Sequence, residues 1–379
     1  MRLSRAILAI MACTLPVHAA RFPVRPKYEI VGYIFGHSGA LLDGSTIAAK
    51  KMTRINYAFF ALKNGIMAER GEYDAENLAV LTAMRKENPQ LQILISVGGG
   101  DVGSAGFSDM AITRESRRRF IDSAVAAVKK YGLDGVDIDW EYPGYTYVKT
   151  TTVRPEDHET YTLLLKELRL RFDREEKRIG RPLVTSSATG ATQIWLDHTD
   201  MREASKWLNT VNMMCYDWYF NEERITGHDS PLHTVAADPK HISIDDSVKK
   251  NLAAGVPARK IVVGVPFYGR RWEGVDATNH GLWQPITGSG EEIVFGRIEP
   301  LINQQGFVRF WDATAAAPYL YNAGTKTFIT YNDAEAEAAR TTFVKKHHLG
   351  GVMFWQYTGD PRNTLLDAID AGFGIAAQP

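Results

Sequence analysis

Three acidic residues alternate with apolar residues within one short segment of the chain. Asp137, Asp139 and Glu141 are each two residues apart, with Ile138 and Trp140 between them. Because neighbouring side chains of a β-strand point to opposite faces, the three carboxyl groups are expected to share one face. Crowded carboxyl groups raise each other's pKa, so at least one should keep a proton near neutral pH. Glu141, the outermost of the three, is therefore the candidate for donating a proton to a leaving oxygen.

Two other interpretations of this acidic row stay open at the level of sequence. The first is a solvated acidic turn, which the regular alternation with apolar residues disfavours. The second is a site for a hard cation, although the acids follow one strand and do not have the spacing of a calcium-binding loop. The sequence contains no pair of CxxC motifs and no HExxH, so it does not support a zinc site. We predict neither a metal nor another cofactor.

Eight short segments rich in β-branched or apolar residues are predicted to be strands. Helical patterns lie between most of them, for example at Ser116–Lys130 and Glu156–Phe172. This alternation predicts an α/β fold, a closed parallel TIM (β/α)8 barrel. Three acids cannot face the helix layer of a barrel without a large desolvation cost, so we expect them to point inward, towards the C-terminal mouth. The predicted strands are Tyr28–Phe35, Arg54–Leu62, Leu91–Val97, Leu133–Asp139, Leu183–Ala188, Leu208–Cys215, Lys260–Pro266 and Gly351–Trp355.

The segment between the predicted seventh and eighth strands is too long and too rich in aromatic residues to be a plain loop. We predict a small α+β subdomain at residues 271–345, inserted into a catalytic barrel that spans residues 21–379. The helix that closes the barrel unit is predicted at Ala334–Lys346. Glycine-containing turns inside the insertion, such as Gly288–Gly290, agree with a compact subdomain.

The N-terminus has the pattern of an export signal. Arg2 and Arg5 provide positive charge before the short apolar run Ala6–Leu15, and small residues follow it. We therefore expect residues 1–20 to be a signal peptide and the protein to be secreted or periplasmic. Lipid attachment at Cys13 is the alternative. The apolar run is too short to span a bilayer, and no membrane association is expected after cleavage.

The composition favours a soluble globular protein with no nucleic-acid partner. Lys and Arg number 44, as do Asp and Glu, so the formal net charge is zero, whereas nucleic-acid binders normally carry a basic surplus. Once the predicted signal is removed, Cys215 is the one cysteine left, and it cannot form an internal disulfide. We expect a monomer.

Several motifs resemble those of one enzyme family. Asp134–Glu141 resembles the DGxDxDxE signature of family 18 glycoside hydrolases, the chitinases, and the resemblance extends from about Tyr28 to Phe373. It implies a barrel that carries the α+β insertion of one subgroup. The other matching segments, in the order of the family, are Ser96–Gly99 (SxGG), Met214–Asp217 (MxYD), Gly264–Arg270, Pro318–Tyr321 and Trp355.

The resemblance implies hydrolysis of β-1,4-linked N-acetylglucosamine polymers, chitin or chitooligosaccharides, by a substrate-assisted mechanism. Glu141 would protonate the glycosidic oxygen, and the substrate's own 2-acetamido group would attack to form an oxazolinium ion. Asp139 would orient the acetamido group, and Asp137 would share a proton with Asp139. Tyr216 would donate to the acetamido oxygen and Asp217 would hold the sugar. The product would keep its anomeric configuration.

Further residues are predicted to bind substrate. Trp355 would form the floor beneath the reacting sugar, because an indole face packs against a pyranose ring. The glycine pair Gly98 and Gly99 would let the backbone approach the sugar closely. Gly100 stands where many family members have a tryptophan on the leaving-group side, which weakens an aromatic platform there. The remaining candidates are Tyr33, Phe59 and Ser96 inside the barrel, Met214 near the end of the predicted sixth strand, Trp218 after it, and Tyr268 and Arg270 after the predicted seventh strand.

Two other functions are compatible with this scaffold. One is an endo-β-N-acetylglucosaminidase that acts on glycans or peptidoglycan, since the acetamido chemistry would be the same. The other is a non-catalytic chitin-binding lectin, because a fold does not determine a function. The presence of Glu141 together with both aspartates disfavours the lectin.

Overall fold

The computed structural model describes residues 26–36, 39–147 and 151–374 of the chain. The predicted export signal, including Cys13, lies outside the described residues. Within the described ranges, no helix is both long enough and apolar enough to cross a membrane.

Fourteen strands in the described residues form two separate sheets. Eight of them close a parallel barrel in the order β1, β14, β8, β7, β6, β5, β4, β2, with β1 pairing again to β2. The strands are β1 (Glu29–Phe35), β2 (Arg54–Lys63), β3 (Ile66–Ala68), β4 (Gln92–Gly98), β5 (Gly135–Asp139), β6 (Val184–Gly190), β7 (Thr210–Met214), β8 (Ile261–Pro266), β9 (Tyr268–Trp272), β10 (Gly290–Val294), β11 (Val308–Asp312), β12 (Ala317–Asn322), β13 (Thr327–Thr330) and β14 (Gly351–Trp355).

Helices surround the barrel. Those of at least ten residues are α1, α4, α5, α8, α10 and α11. In chain order the helices are α1 (Asp74–Ala83), α2 (Gly100–Ser104), α3 (Phe107–Ala111), α4 (Arg114–Lys130), α5 (Asp157–Ile179), α6 (Gln193–Asp197), α7 (Met201–Ala204), α8 (Ile244–Ala253), α9 (Phe295–Ile298), α10 (Ala334–Lys346) and α11 (Thr364–Phe373). The predicted (β/α)8 barrel with a small insertion between the seventh and eighth barrel strands, here β8 and β14, is confirmed.

Local sequence explains where the longest helices begin and end. At the start of α4, Thr113 and Ser116 form a reciprocal capping box, which satisfies two backbone N–H groups. Gly180, with φ of +71°, ends α5 in a left-handed conformation that glycine adopts without steric cost. The predicted helix stopped at Phe172, but α5 continues to Ile179. Ion pairs spaced by four residues, such as Arg169 with Asp173, stabilise those extra polar turns.

The insertion is an antiparallel sheet in the order β10, β9, β13, β12, β11. It begins with β9 at Tyr268, directly after β8, and its last strand ends at Thr330, so it starts slightly before the predicted boundary at residue 271. Helix α10 lies inside the predicted insertion range, but it contacts α11 and β14 of the barrel.

Buried apolar residues form two clusters on opposite sides of the barrel wall. The larger cluster fills the space between strands and helices and includes Val136, Ile138 and Trp140. The smaller cluster lies inside the barrel and includes Tyr33 and Phe59, with Trp355 packed against it. The alternation of β5 therefore places its apolar side chains towards the helices, which leaves the acidic side chains pointing inward.

Candidate active site

Asp137 lies inside the barrel, where donors from four other strands surround it. The Tyr33 and Ser96 hydroxyl groups donate to its Oδ2 at 2.9 and 2.8 Å. The Ser186 hydroxyl and the Asn212 amide donate to its Oδ1 at 2.6 and 3.2 Å. Burial raises the pKa of Asp137, while the hydrogen bonds from Ser186, Ser96 and Tyr33 oppose that shift by stabilising the ionised form. We refer to these five residues as the barrel floor.

Asp139 and Glu141 form a hydrogen-bonded carboxyl pair above the barrel floor. Burial is the main cause that raises the pKa of Asp139 well above its usual value, and the charges of Glu141 and Asp137 add to it. Burial also raises the pKa of Glu141. Two interacting acids in one buried site hold one proton between them over a wide pH range. Oδ1 of Asp139 is buried and has no hydrogen-bond partner among the described residues.

The resemblance implied a proton shared between Asp137 and Asp139. In the structure, the hydrogen-bonded carboxyl pair is Asp139 with Glu141, and the hydrogen bonds to Asp137 come from hydroxyl and amide groups. Because the floor residues satisfy Asp137, Asp139 is available to form its hydrogen bond with Glu141.

Loop residues hold the carboxyl group of Glu141. The backbone N–H of Gly100 donates to its Oε1 at 2.7 Å, and the Tyr142 hydroxyl donates to the same carboxyl group. Both hydrogen bonds lower the pKa of Glu141 against the effect of burial. Ser104 bridges the backbone on either side of Trp140. Its Oγ accepts from the Glu141 N–H at 2.7 Å and donates to the Asp139 carbonyl at 3.3 Å.

Gly98 and Gly99 make close packing possible at the end of β4. A Cβ atom on Gly98 would lie 2.0 Å from the carbonyl oxygen of Asp139, and one on Gly99 would lie 2.2 Å from the ring of Phe59. Their φ angles of +111° and +77° are also ones that side chains disfavour. The sequence predicted an approach of this backbone to substrate, whereas in the structure the space is filled by Asp139 and Phe59.

Aromatic rings from β1, β2 and β14 meet at the barrel mouth. The Trp355 ring stacks on Phe59 with a centroid distance of 5.4 Å and an interplanar angle of 24°. Phe35 and Tyr33 contact the same indole at tilted angles, each with centroids 6.0 Å away. Trp355 is only partly buried, so part of its surface is available to a ligand at the mouth.

A second polar group follows β7 and β8. Oδ1 of Asp217 accepts from the Tyr268 hydroxyl at 2.7 Å and forms an ion pair with Arg270. The Tyr216 ring packs against Tyr268 with centroids 6.2 Å apart. Burial, followed by the charge of Asp139, raises the pKa of Tyr216 well above its usual value. The Tyr216 hydroxyl therefore stays protonated and able to donate, close enough to Asp139 to respond to its charge.

Two of the predicted binding residues belong to different apolar clusters. Met214, at the end of β7, packs against the cluster inside the barrel, as Tyr216 and Trp355 do. Trp218 is only 5% exposed and belongs to the larger cluster, not to the one that Trp355 contacts.

Sequence reasoning missed four residues that contact the acids. Ser186 and Asn212 are polar residues inside predicted apolar strands, and their inward positions could have been read from the strand alternation. Tyr142 directly follows the acidic row. Ser104 carried no sequence signal, because its role depends on the path of the loop after β4.

No group of three or more histidine, cysteine, aspartate or glutamate side chains that could hold a metal ion occurs in the part of the chain that the structure describes. The arrangement at the mouth suits proton transfer between carboxyl groups and a bound ligand.

A (β/α)8 barrel with a hydrogen-bonded carboxyl pair at its C-terminal mouth is the architecture of a barrel enzyme that uses acid–base chemistry. Comparison with known proteins identifies the family within this class. Residues 29–360 match the family described as Glycosyl hydrolases family 18, and the chain belongs to that family.

Curated relatives include two bacterial chitinases. Chitinase A1 of Niallia circulans is 36% identical over 312 residues, which cover 78% of this chain and 44% of that protein. Chitinase B of Serratia marcescens is 30% identical in an alignment that covers 86% of this chain and 77% of that protein. The chain thus spans less than half the length of the first of these relatives.

Solved structures agree with this assignment. A family 18 N-acetylglucosaminidase from Paenibacillus barengoltzii superposes with a TM-score of 0.83 at 39% identity, covering 91% of this chain and 99% of that one. The Ostrinia furnacalis Group IV chitinase in complex with allosamidin superposes with a TM-score of 0.82 at 26% identity, covering 92% and 99%.

Proposed function

We propose that the protein is a retaining hydrolase of β-1,4-linked N-acetylglucosamine polymers, chitin or chitooligosaccharides, that uses the substrate's acetamido group as the nucleophile. The observation that carries this proposal is the Asp139–Glu141 pair, in which one buried carboxyl oxygen of Asp139 lacks a partner within the described residues. An acetamido N–H would supply the missing hydrogen bond. The Tyr216 hydroxyl would donate to the acetamido oxygen.

The first step of the proposed reaction breaks the glycosidic bond. The proton that Asp139 and Glu141 share passes through Glu141 to the glycosidic oxygen, and the bond from C1 to that oxygen breaks. The acetamido oxygen attacks C1, so that an oxazolinium ion forms without an enzyme nucleophile. Asp139, freed from its bond with Glu141, accepts the acetamido N–H and stabilises the positive charge. A group held on the same sugar has a high effective molarity, which replaces an external nucleophile.

The second step restores the enzyme. Water attacks C1 from the face that the leaving group occupied, and Glu141 takes the proton of that water. The bond between C1 and the acetamido oxygen breaks, which returns the acetamide. Two displacements on C1 give net retention of the anomeric configuration.

The partly buried face of Trp355 would support the sugar during both steps, and Asp217 would accept a sugar hydroxyl. Arg270 and Tyr268 fix the carboxylate of Asp217 for this role. Because the proposed polymer occurs outside cells, export through the predicted signal is part of the proposal, as is action as a monomer.

The test uses defined N-acetylglucosamine oligomers, with product size measured by chromatography and the new anomer by proton NMR immediately after cleavage. We expect a β-anomer at first. Cello-oligosaccharides of the same length, which lack the acetamido group, should not be cleaved. An initial α-anomer, or efficient cleavage of the cello-oligosaccharide, would contradict substrate assistance.

A second candidate function is the release of single N-acetylglucosamine units from chain ends. The similarity to the N-acetylglucosaminidase from Paenibacillus barengoltzii favours it. The same oligomer assay separates the two candidates, because a single-unit enzyme produces monosaccharide from the first turnovers and an internal cleaver produces disaccharides or longer fragments. N-glycan and peptidoglycan fragments, assayed in parallel, test the other alternative on this scaffold.

A further inference from the structure

The most exposed large apolar side chains lie at the barrel mouth. Four among the described residues are at least half exposed: Leu41 (52%), Val102 (82%), Tyr147 (71%) and Phe220 (50%). Each lies after the carboxyl end of a barrel strand, following β1, β4, β5 and β7 respectively. Less exposed apolar side chains, such as Val308 in the insertion, also occur on other surfaces and need no explanation, but four strongly exposed ones on the face that carries the acids suggest a ligand.

Tyr147 has a defined position despite its exposure. The rings of Tyr142 and Tyr145 stack with centroids 4.7 Å apart and planes 6° apart. Tyr147 stands perpendicular to both, with its centroid 5.8 Å from each. His198, directly after α6, packs against Tyr145 with centroids 5.0 Å apart. The Tyr147 ring is therefore braced by two others while most of its surface faces solvent, which is the state of a preformed aromatic platform.

The two most exposed side chains each lie next to a residue that donates a hydrogen bond to the catalytic acid. Tyr142, which braces Tyr147, donates its hydroxyl to Glu141. On the other side, Gly100 donates its N–H to Glu141, and Val102 follows two residues later in α2. Gly100 has no side chain, and a Cβ atom at this position would meet no atom of the described residues within 4 Å, its chain neighbours aside. Within the described part of the chain, no side chain therefore covers the Gly100 backbone beside Glu141.

The barrel topology identifies which part of a substrate would occupy this space. Trp355 ends β14, and Glu141 follows β5, which lies four strands away around the eight-stranded barrel in either direction. A sugar on Trp355 therefore has the acid across the mouth. Because the acid protonates the oxygen that joins the reacting sugar to its leaving group, the leaving group lies on the Glu141 side.

We propose that Tyr147, braced by Tyr142 and Tyr145, binds the N-acetylglucosamine unit on the leaving-group side, with Val102 on the neighbouring loop. This inference rests on the proposed function and extends it to a specificity determinant. The apolar face of a pyranose covers the exposed tyrosine ring, and Gly100 beside Glu141 has no side chain that would exclude the sugar. The same platform would receive an acceptor sugar when a sugar hydroxyl replaces water at C1, with Glu141 taking the proton of that hydroxyl.

The test compares a substrate that has a leaving-group sugar with one that has none. N-acetylglucosamine tetrasaccharide must place sugars beyond Glu141, whereas the oxazoline of N-acetylglucosamine itself enters the reaction after the leaving group has departed. For Tyr147→Ala we expect kcat/KM on the tetrasaccharide to fall about tenfold, mainly through KM. The rate on the oxazoline should stay within about twofold of wild type, since that substrate makes no contact beyond the acid.

Matched variants separate loss of the platform from general damage. Tyr147→Phe keeps the ring and should retain the wild-type kcat/KM. Leu170→Ala removes an exposed apolar side chain from α5, away from the mouth. It should change neither kcat/KM on the tetrasaccharide nor the rate on the oxazoline. An unchanged tetrasaccharide rate in Tyr147→Ala, or an equal loss on both substrates, would overturn the inference. A wild-type protein that cleaves no N-acetylglucosamine oligomer would overturn the proposed function as well, which distinguishes the two failures.

Discussion

The acidic residues at the barrel floor and at the barrel mouth differ in their hydrogen-bond partners. At the floor, Asp137 receives four hydrogen bonds from hydroxyl and amide groups on four different strands. At the mouth, Asp139 faces another carboxyl group and keeps a buried oxygen without a described partner. Glu141 is held by loop groups, the N–H of Gly100 and the hydroxyl of Tyr142.

This difference indicates that the acid at the floor has a structural role, whereas the two acids at the mouth take part in the reaction. A carboxyl group whose lone pairs are occupied by rigid strand residues is held in place and has little capacity left for a ligand. A carboxyl pair that shares one proton can change partners when a ligand arrives, because the proton and the free oxygen are both available. Floor variants are therefore expected to affect mainly stability, and mouth variants mainly turnover.

The largest effect is expected for Glu141→Gln at the mouth. The amide keeps the shape of the side chain but cannot give a proton to the glycosidic oxygen. Turnover of an N-acetylglucosamine oligomer should fall by about 10²–10⁴-fold, the usual contribution of a general acid. Calorimetric titration should show that oligomer binding persists, and thermal unfolding should be close to wild type. Turnover near the wild-type value would exclude Glu141 as the acid.

The second largest effect is expected for Asp139→Asn, which should lower activity and raise stability. Activity should fall because the carboxylate that stabilises the oxazolinium ion is lost. The pKa of Asp139 is raised in the folded protein, so the folded state holds this proton more tightly than the unfolded state does. Wild-type stability therefore decreases as the pH rises from the ordinary pKa of an aspartate towards the raised value, by about 1.4 kcal/mol for each pKa unit of difference.

Asparagine does not titrate, so the Asp139→Asn variant should not show this loss. Its unfolding free energy should exceed that of wild type by an amount that grows from about pH 4 upward. Urea unfolding at several pH values measures the difference. A stability difference that shrinks as the pH rises would mean that Asp139 is stabilised in its ionised form.

A smaller effect on turnover is expected at the floor. Ser186→Ala removes a hydrogen bond to the buried carboxyl of Asp137, which should lower the unfolding free energy by about 1–3 kcal/mol. Turnover should fall only a few-fold. Ser187→Ala is the matched control, because this buried serine faces the helices and bonds to Tyr161. A loss of turnover in Ser186→Ala as large as that of Glu141→Gln would mean that the floor takes part directly in the reaction.

The alternation of strand and helix segments predicted the fold, and the side-chain alternation within one strand predicted the inward row of acids. Trp140 packs against Phe107 in the helix-facing cluster, and Asp137 lies inside the barrel, as the period of two requires. This prediction succeeded because side-chain alternation is a local property of a strand. The position of each acid relative to the barrel mouth followed from the same count along the chain.

Other features depend on how loops return to the site, and local sequence does not encode that. Ser104 reaches the backbone of Asp139 and Glu141 only because the loop after β4 folds over the end of β5. Trp218 follows the tyrosine-aspartate motif and was predicted to line the cleft, yet its side chain is buried in the larger apolar cluster. A single residue in a loop can turn to either side, and tertiary packing decides which.

The smallest expected effect, a shift in the pH profile for Tyr142→Phe, tests the mouth most finely. The Tyr142 hydroxyl stabilises the ionised form of Glu141 and thereby lowers its pKa, while the ring braces the aromatic platform. Phenylalanine keeps the ring and removes the hydroxyl, so the pKa of Glu141 should rise. Since catalysis needs protonated Glu141, the alkaline limb of kcat/KM should move to higher pH, with a change in the maximum of less than about tenfold. If the alkaline limb moves to lower pH, the hydroxyl stabilises protonated Glu141. The acids at the mouth would then be part of a network of hydrogen-bond donors, and not a carboxyl pair that shares one mobile proton.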